Sequence, residues 1–332
     1  MRNPVLLSLG LLIANAAHAD LGAIPTQSGW SGFLLGGVTA SSHESNFYAG
    51  GDSHSRIDNL GSPHSESAFS ALVNADIRYT FADTRTQVFL GNLIQDALRF
   101  DFTQQLGIRQ AMGDKGIVAG SVVFNVMPVE LWSDPFATGV DRSSTDAKSK
   151  GVRFAWDKIW GSNFNGSITS REVDLDEERS GQQYDQRHGT HYASMLDRNG
   201  KVHDMELSYQ WHFGDGQLLE PALLYKQAKL DGSAESFDSK GLQLTYAKRG
   251  PQWSFVSNAY VGKRDYDEAN PLFGQRADAE ELALTGTFFW HRLLGIKDLT
   301  GVITATYSQA DADIAFYDTQ TSSLNTGLLY NF

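Results

Sequence analysis

Apolar and polar residues alternate with a period of two along nearly the whole chain, and this constrains the fold more than any other feature. Phe69, Ala71, Val73, Ala75, Ile77, Tyr79 and Phe81 fall on one face of an extended segment, and Ser70, Asn74, Asp76, Arg78 and Thr80 on the other, with only Leu72 out of step. Met205, Leu207, Tyr209, Trp211 and Phe213 repeat the pattern against Asp204, Glu206, Ser208, Gln210 and His212. It returns at 98–110, 151–157, 241–248, 252–264 and 281–291. A period of two belongs to strands with one apolar face. Segments of about 9 to 13 residues are the length that a tilted membrane strand needs.

The beginning of the chain departs from this pattern. Arg2 precedes an apolar stretch over 5–14, and Ala17, His18 and Ala19 precede Asp20, the layout of a signal peptide with small residues flanking its cleavage site. The expected organisation is a signal peptide over 1–19 and one β domain over 20–332. A spanning helix needs roughly 18 consecutive apolar residues, and the best run, 116–127, is shorter and contains Ser121 and Asn125. Any crossing of a membrane is therefore made by strands. The chain has no cysteine, so its stability has to come from another cross-linked system, and a closed hydrogen-bonded barrel is one such system. The 39 acidic residues outnumber the 27 basic ones, a net charge of −12 that argues against nucleic acid as a partner.

A soluble β-sandwich also alternates, and three features weigh against it. Strands are expected near 30–41, 69–81, 86–92, 98–110, 116–127, 149–157, 163–173, 202–213, 217–229, 239–248, 252–264, 280–291, 299–309 and 322–332, about fourteen in all, with twelve as an alternative. Their connections alternate between tight (82–85, 111–115, 158–162, 214–216, 249–251, 292–298) and long, as in membrane barrels with short periplasmic turns and long outer loops. Trp30, Trp156, Trp160, Trp211, Trp253 and Trp290 all lie at or beside strand ends that this topology assigns to the periplasmic rim, where an indole suits the boundary between lipid and water, and only Trp132 lies elsewhere. Leu324, Leu328, Tyr330 and the final Phe332 share one face, interrupted by Thr326. The fold class is accordingly an all-β, transmembrane, antiparallel up-and-down barrel. Its expected partners are outer-membrane lipid and lipopolysaccharide, the barrel-assembly machinery acting on the strand that ends at Phe332, and small solutes, with the oligomeric state left open.

Fourteen strands enclose more space than their own side chains fill. The expected inner wall carries Asp76, Arg78, Arg99, Asp101, Arg109, Arg153, Asp157, Arg171, Asp204, Glu206, Glu220, Lys226 and Glu281. So many charges must meet water or one another. A hydrated passage and a closed mesh of ion pairs both satisfy that need. The short span between Asp20 and the first strand leaves no room for an N-terminal plug, so a constriction is expected from a loop. The segment 128–148, with Glu130, Trp132 and Asp134, is the candidate. If it folds inward, Glu130 and Asp134 would approach Arg153, Arg99 or Arg171. A loop that packs on the outer rim or on a neighbouring subunit is the alternative.

Asp185, His188, His191, His203 and Asp204 form the nearest thing to a catalytic cluster, but no serine-centred motif accompanies them. His43, His54 and His64 lack zinc-like spacing, and Asp174, Asp176, Glu177 and Glu178 read as a solvated loop. No catalytic, cofactor or metal site is expected.

Several segments resemble the porin-like protein L family of gamma-proteobacteria, which carries a domain of unknown function. They are 88–99 (VFLGNLIQDALR), 130–139 (ELWSDPFATG), 161–164 (GSNF), 221–225 (PALLY), 265–273 (DYDEANPLF) and 313–318 (DIAFYD). The resemblance implies an outer-membrane, porin-like role and transfers no functional residue. Together these features point to passive diffusion of small hydrophilic solutes. A closed barrel serving as a structural or surface-interaction protein is the alternative, and an outer-membrane hydrolase comes third.

Overall fold

The computed structural model describes residues 23–49, 55–91, 104–126 and 128–332. The strands are β1 (Gly29–Glu44), β2 (Ser65–Phe81), β3 (Thr86–Gly91), β4 (Gln104–Ala111), β5 (Ile117–Phe124), β6 (Val129–Trp132), β7 (Ser144–Asp157), β8 (Phe164–Leu175), β9 (Gly200–Tyr209), β10 (Trp211–Phe213), β11 (Gln217–Leu230), β12 (Phe237–Arg249), β13 (Trp253–Tyr266), β14 (Ala279–His291), β15 (Leu299–Ala312) and β16 (Thr319–Asn331). Every pairing is antiparallel between neighbours, and β16 returns to β1 with Leu329 opposite Leu35. Two of the sixteen segments continue others: β6 extends β5, and β10 extends β9. The result is a closed antiparallel barrel of fourteen strands.

Both interruptions have local causes. In β11, Pro221 brings no N–H to the ladder, so pairing lapses at Tyr209 and Gln210. It resumes with Trp211 opposite Leu219, and the Gln210 amide turns to the Asn163 carbonyl at 2.9 Å. Between β5 and β6 the register with β7 shifts, because Phe124 pairs with Lys150 and Val129 with Ala147, which leaves two fewer residues of β7 between the pairs than of the other strand. That is a bulge, which bends the strand and re-aims the residues beyond it.

Alternation resolves into two faces. Outward side chains such as Leu34, Phe69, Val73, Ile168, Leu223 and Ile303 are exposed, forming an apolar belt of the kind hydrocarbon covers. Aromatic pairs cluster beside the short turns, among them Trp30 with Tyr79 at 5.0 Å, Trp156 with Trp160 at 5.0 Å and Phe164 with Tyr209 at 4.9 Å. Inward, toward the short-turn end, Phe33, Leu35, Leu72, Leu218, Val256, Phe289, Val302 and Leu329 pack into an apolar cluster. Leu72, out of step in the sequence, breaks the polar face because it belongs to this floor.

A second apolar cluster lies at the opposite end, built from long connections. Ile57, Phe136, Leu196, Ala234, Ala277, Ile314, Phe316 and Tyr317 pack together, with Phe47, Leu60, Tyr192, Met195 and Phe273 against them. Every long connection among the described residues contributes, so the loops form a cap with its own core.

Strand limits differ from expectation mainly at the long-loop end. β7 starts at Ser144 rather than 149, and β16 at Thr319 rather than 322. The ladder there continues past the apolar belt into polar sequence, where alternation no longer marks it. β4 begins at Gln104, and the rest of the expected 98–110 strand lies outside the described residues, as do the expected signal peptide and Asp20.

Candidate functional site

The expected wall residues separate into two levels. Nearer the short turns they are buried and bonded to one another. Asp76 takes Arg78 at 2.5 Å, and Arg109, 2% exposed, reaches Asp157 at 3.4 Å and Gln87 at 3.3 Å. Gln87 in turn donates to Thr80 at 3.0 Å. Glu220 accepts from Ser208 at 2.6 Å and Gln210 at 3.1 Å, beside the interruption at Pro221. With the apolar cluster, these groups fill the lower barrel.

Above them lies a chamber of about 900 Å³, lined by Arg153, Arg171, Asp204, Glu206, Lys226 and Glu281 of the expected set. Strand register brings them to one wall. Asp204 stands opposite both Thr169 and Lys226, and Lys226 opposite Ser239, which pairs with Arg264. Arg171 donates to Asp204 at 2.9 Å, and the Lys226 ammonium lies 3.4 Å from the same carboxylate. Arg153 donates to Ser167 at 3.2 Å. Arg264 pairs with Glu281, which also accepts from Tyr260 at 2.9 Å and Ser239 at 3.0 Å. Tyr260 lies flat because Gly241 and Gly262 leave its ring the space that a Cβ at either position would take. Facing this charged wall, β15 and β16 present Thr306, Ser308, Thr321 and Ser323. Arg264 and Tyr260 were not singled out in the sequence, although both fall on the polar face of the expected 252–264 strand. Arg99 and Asp101 lie outside the described residues.

The segment 128–148 behaves differently from the inward-folding expectation. Its two arms are strands of the wall, β6 and the start of β7, and only Val129, Leu131, Ala147 and Lys148 of it reach the chamber. Glu130 accepts from Ser144 at 2.8 Å rather than from a basic wall residue. Asp134 takes the amides of Phe136 at 3.1 Å, Gly181 at 3.0 Å and Gln183 at 3.1 Å, two of them at the start of the helix Gln182–His188. A buried carboxylate is cheapest where several amides point at it, and no arginine of the wall offers that. Trp132 is buried beneath the Arg142 guanidinium, 4.4 Å from its ring centre.

Polar ties hold the cap together beneath its apolar core. Arg142 donates to the carbonyls of Asn46 at 3.1 Å, Ser55 at 3.2 Å and Pro135 at 3.3 Å, and burial lowers its pKa to about 10. Arg198 donates to Glu178 at 2.9 Å and to the Trp132 carbonyl at 2.7 Å. The Tyr317 hydroxyl donates to Glu235 and accepts from Asn270 at 2.7 Å. Burial pushes the Glu235 carboxyl up to about 8. Asp185 braces its own loop, accepting from Thr190 at 2.5 Å and Tyr192 at 2.8 Å, while Asp204 belongs to the chamber. Among the described residues, no three His, Asp or Glu side chains converge as a metal site.

No curated protein matches the chain. Among solved structures it is similar to the COG4313 outer membrane channel of Pseudomonas putida F1, at 12% identity and TM-score 0.42, covering 96% of this chain and 100% of that one. It is also similar to the outer membrane channel DcaP of Acinetobacter baumannii, at 7% identity and TM-score 0.45, over 91% and 97% of the two chains. A third is OmpT, an outer membrane protein of Vibrio cholerae, at 8% identity and TM-score 0.41, over 96% and 100%. At such identities and scores the likeness carries nothing about activity. The profile of one family, described as protein of unknown function (DUF2860), matches residues 29–331, and the chain belongs to that family.

Proposed function

We propose that the protein is an outer-membrane channel for small hydrophilic solutes, in which the chamber is the solute site and the cap controls entry from outside. The observation that carries this reading is a charged, hydroxyl-lined chamber inside a barrel whose outer wall is apolar. Ion pairs stand in that chamber beside Leu131, Val173 and Leu224, which is costly unless water or a polar solute reaches them. The apolar belt and the aromatic ring beside the short turns support insertion in the outer membrane with the cap outside. The resemblance to the porin-like protein L family points the same way. Outward Leu324, Leu328, Tyr330 and Phe332 present the face that barrel-assembly machinery would meet. Purified protein in planar bilayers should give stepwise conductance, more often open when the cap is loosened.

The packed lower barrel and the cap favour a second reading, a closed barrel with a structural or surface-interaction role. Absence of conductance from both the intact and the cap-loosened protein would favour that reading and reject the channel.

A further inference from the structure

The lining of the chamber differs in charge from the chain that builds it. Five cationic side chains line it, Lys148, Arg153, Arg171, Lys226 and Arg264, against three anionic ones, Asp204, Glu206 and Glu281. The whole chain, by contrast, has a net charge of −12. Their engagement is uneven. Lys148 is held by Asp176 at 2.5 Å, and Arg264 is paired with Glu281. Asp204 is shared by two cations, of which Arg171 makes the closer contact and Lys226 the longer one of 3.4 Å. The Lys226 side chain is 45% exposed, against 17% for Arg171 and 26% for Asp204. Apart from Lys148, which Asp176 holds, the most exposed cation of the lining is therefore Lys226, an ammonium only loosely held. Opposite it, Thr306, Ser308, Thr321 and Ser323 are uncharged hydroxyls that both donate and accept.

We infer that the chamber takes hydroxylated organic carboxylates of the size of a sugar acid. The carboxylate meets Lys226 and Arg171, and the hydroxyls meet the threonines and serines of β15 and β16. Ammonium and guanidinium bind carboxylate through charge-assisted bonds, which exceed neutral ones in strength. A neutral polyol would find the same hydroxyl wall without that pairing. A cationic sugar would meet an excess of like charge. A chamber of about 900 Å³ falls within the range of sites for small ligands.

This inference rests on the chamber being the solute site, and binding tests it separately from conduction. Saturation-transfer NMR on the detergent-purified full chain should give a dissociation constant for glucuronate about tenfold below that for glucose, with glucosamine weakest. Lys226→Gln should raise the glucuronate value about tenfold and leave glucose unchanged, while Lys226→Arg should restore most of the difference. Equal binding of glucuronate and glucose, or a preference that Lys226→Gln does not alter, would overturn the ligand class. Conductance without that preference would leave the channel standing and reject the inference. Preference without conductance would do the reverse.

Discussion

Glu235 is a carboxyl group in an apolar core made mostly of loops, with Tyr266 at a strand end among them. It is 5% exposed, bonded to Tyr317, and near Arg198, Glu178 and Arg264. Burial raises its pKa from 4.5 to about 8, so between those values the folded cap holds a proton that the open loop releases. Stability of the cap is then full below about pH 4.5 and falls as pH rises through about 8, by up to about 1.4 kcal/mol per unit. Hydrogen exchange of 231–236 and 313–318 should therefore quicken with pH, beyond its intrinsic dependence, across that window. Glu235→Gln should abolish the excess. Arg142 is the other residue on which several loops depend, since its guanidinium binds three carbonyls and covers Trp132. Arg142→Ala leaves those carbonyls buried without their donor, at a cost of about 3 kcal/mol to the cap. Limited proteolysis should then cut first within 45–64 and 133–143, leaving the strands intact.

At the scale of elements, the cap and the wall are stabilised by different means. Strands are fixed by ladders that run around a closed sheet, with no edge left to fray. The loops depend on scattered polar ties and on their mutual packing, Phe136 stacked on Phe316 at 5.3 Å and Phe47 set against both. Removing two of those rings, Phe136→Ala with Phe316→Ala, costs about 3–5 kcal/mol per ring when the site cannot collapse. The cap should loosen while the barrel remains folded, seen as retained strand circular dichroism with faster proteolysis of the loops. If the chamber conducts, the same double variant should raise open probability. An unchanged open probability would mean that the cap is a surface structure and that the constriction lies in the packed lower barrel.

Across the whole molecule, the tryptophans separate by environment. Trp30, Trp160, Trp211 and Trp290 are 69%, 66%, 59% and 59% exposed on the outer wall, whereas Trp132 is 5% exposed in the cap. In vesicles of brominated lipid the first group should be quenched, and Trp132→Phe should remove mainly the emission that resists quenching. Equal quenching of all the indoles would contradict the placement of the belt.

The period-two pattern determined the barrel: once one face of each strand must be apolar and the connections alternate between short and long, a closed antiparallel sheet satisfies every backbone group. Leu72 shows the limit of that pattern. An inward leucine reads as an error in a one-dimensional alternation, and only the convergence of Phe33, Phe289 and Leu329 from other strands makes it part of a packed floor. The charges of the wall were also visible, but not their partition into a buried lower level and a chamber, because register between strands decides which ions meet. The cap was the least legible. Phe136, Phe273 and Phe316 lie in segments that carried the family resemblance, yet nothing local joins them. Loops lack a period, so the partners of their apolar groups are set by where the barrel holds the loop ends in space, which is a property of the tertiary structure alone.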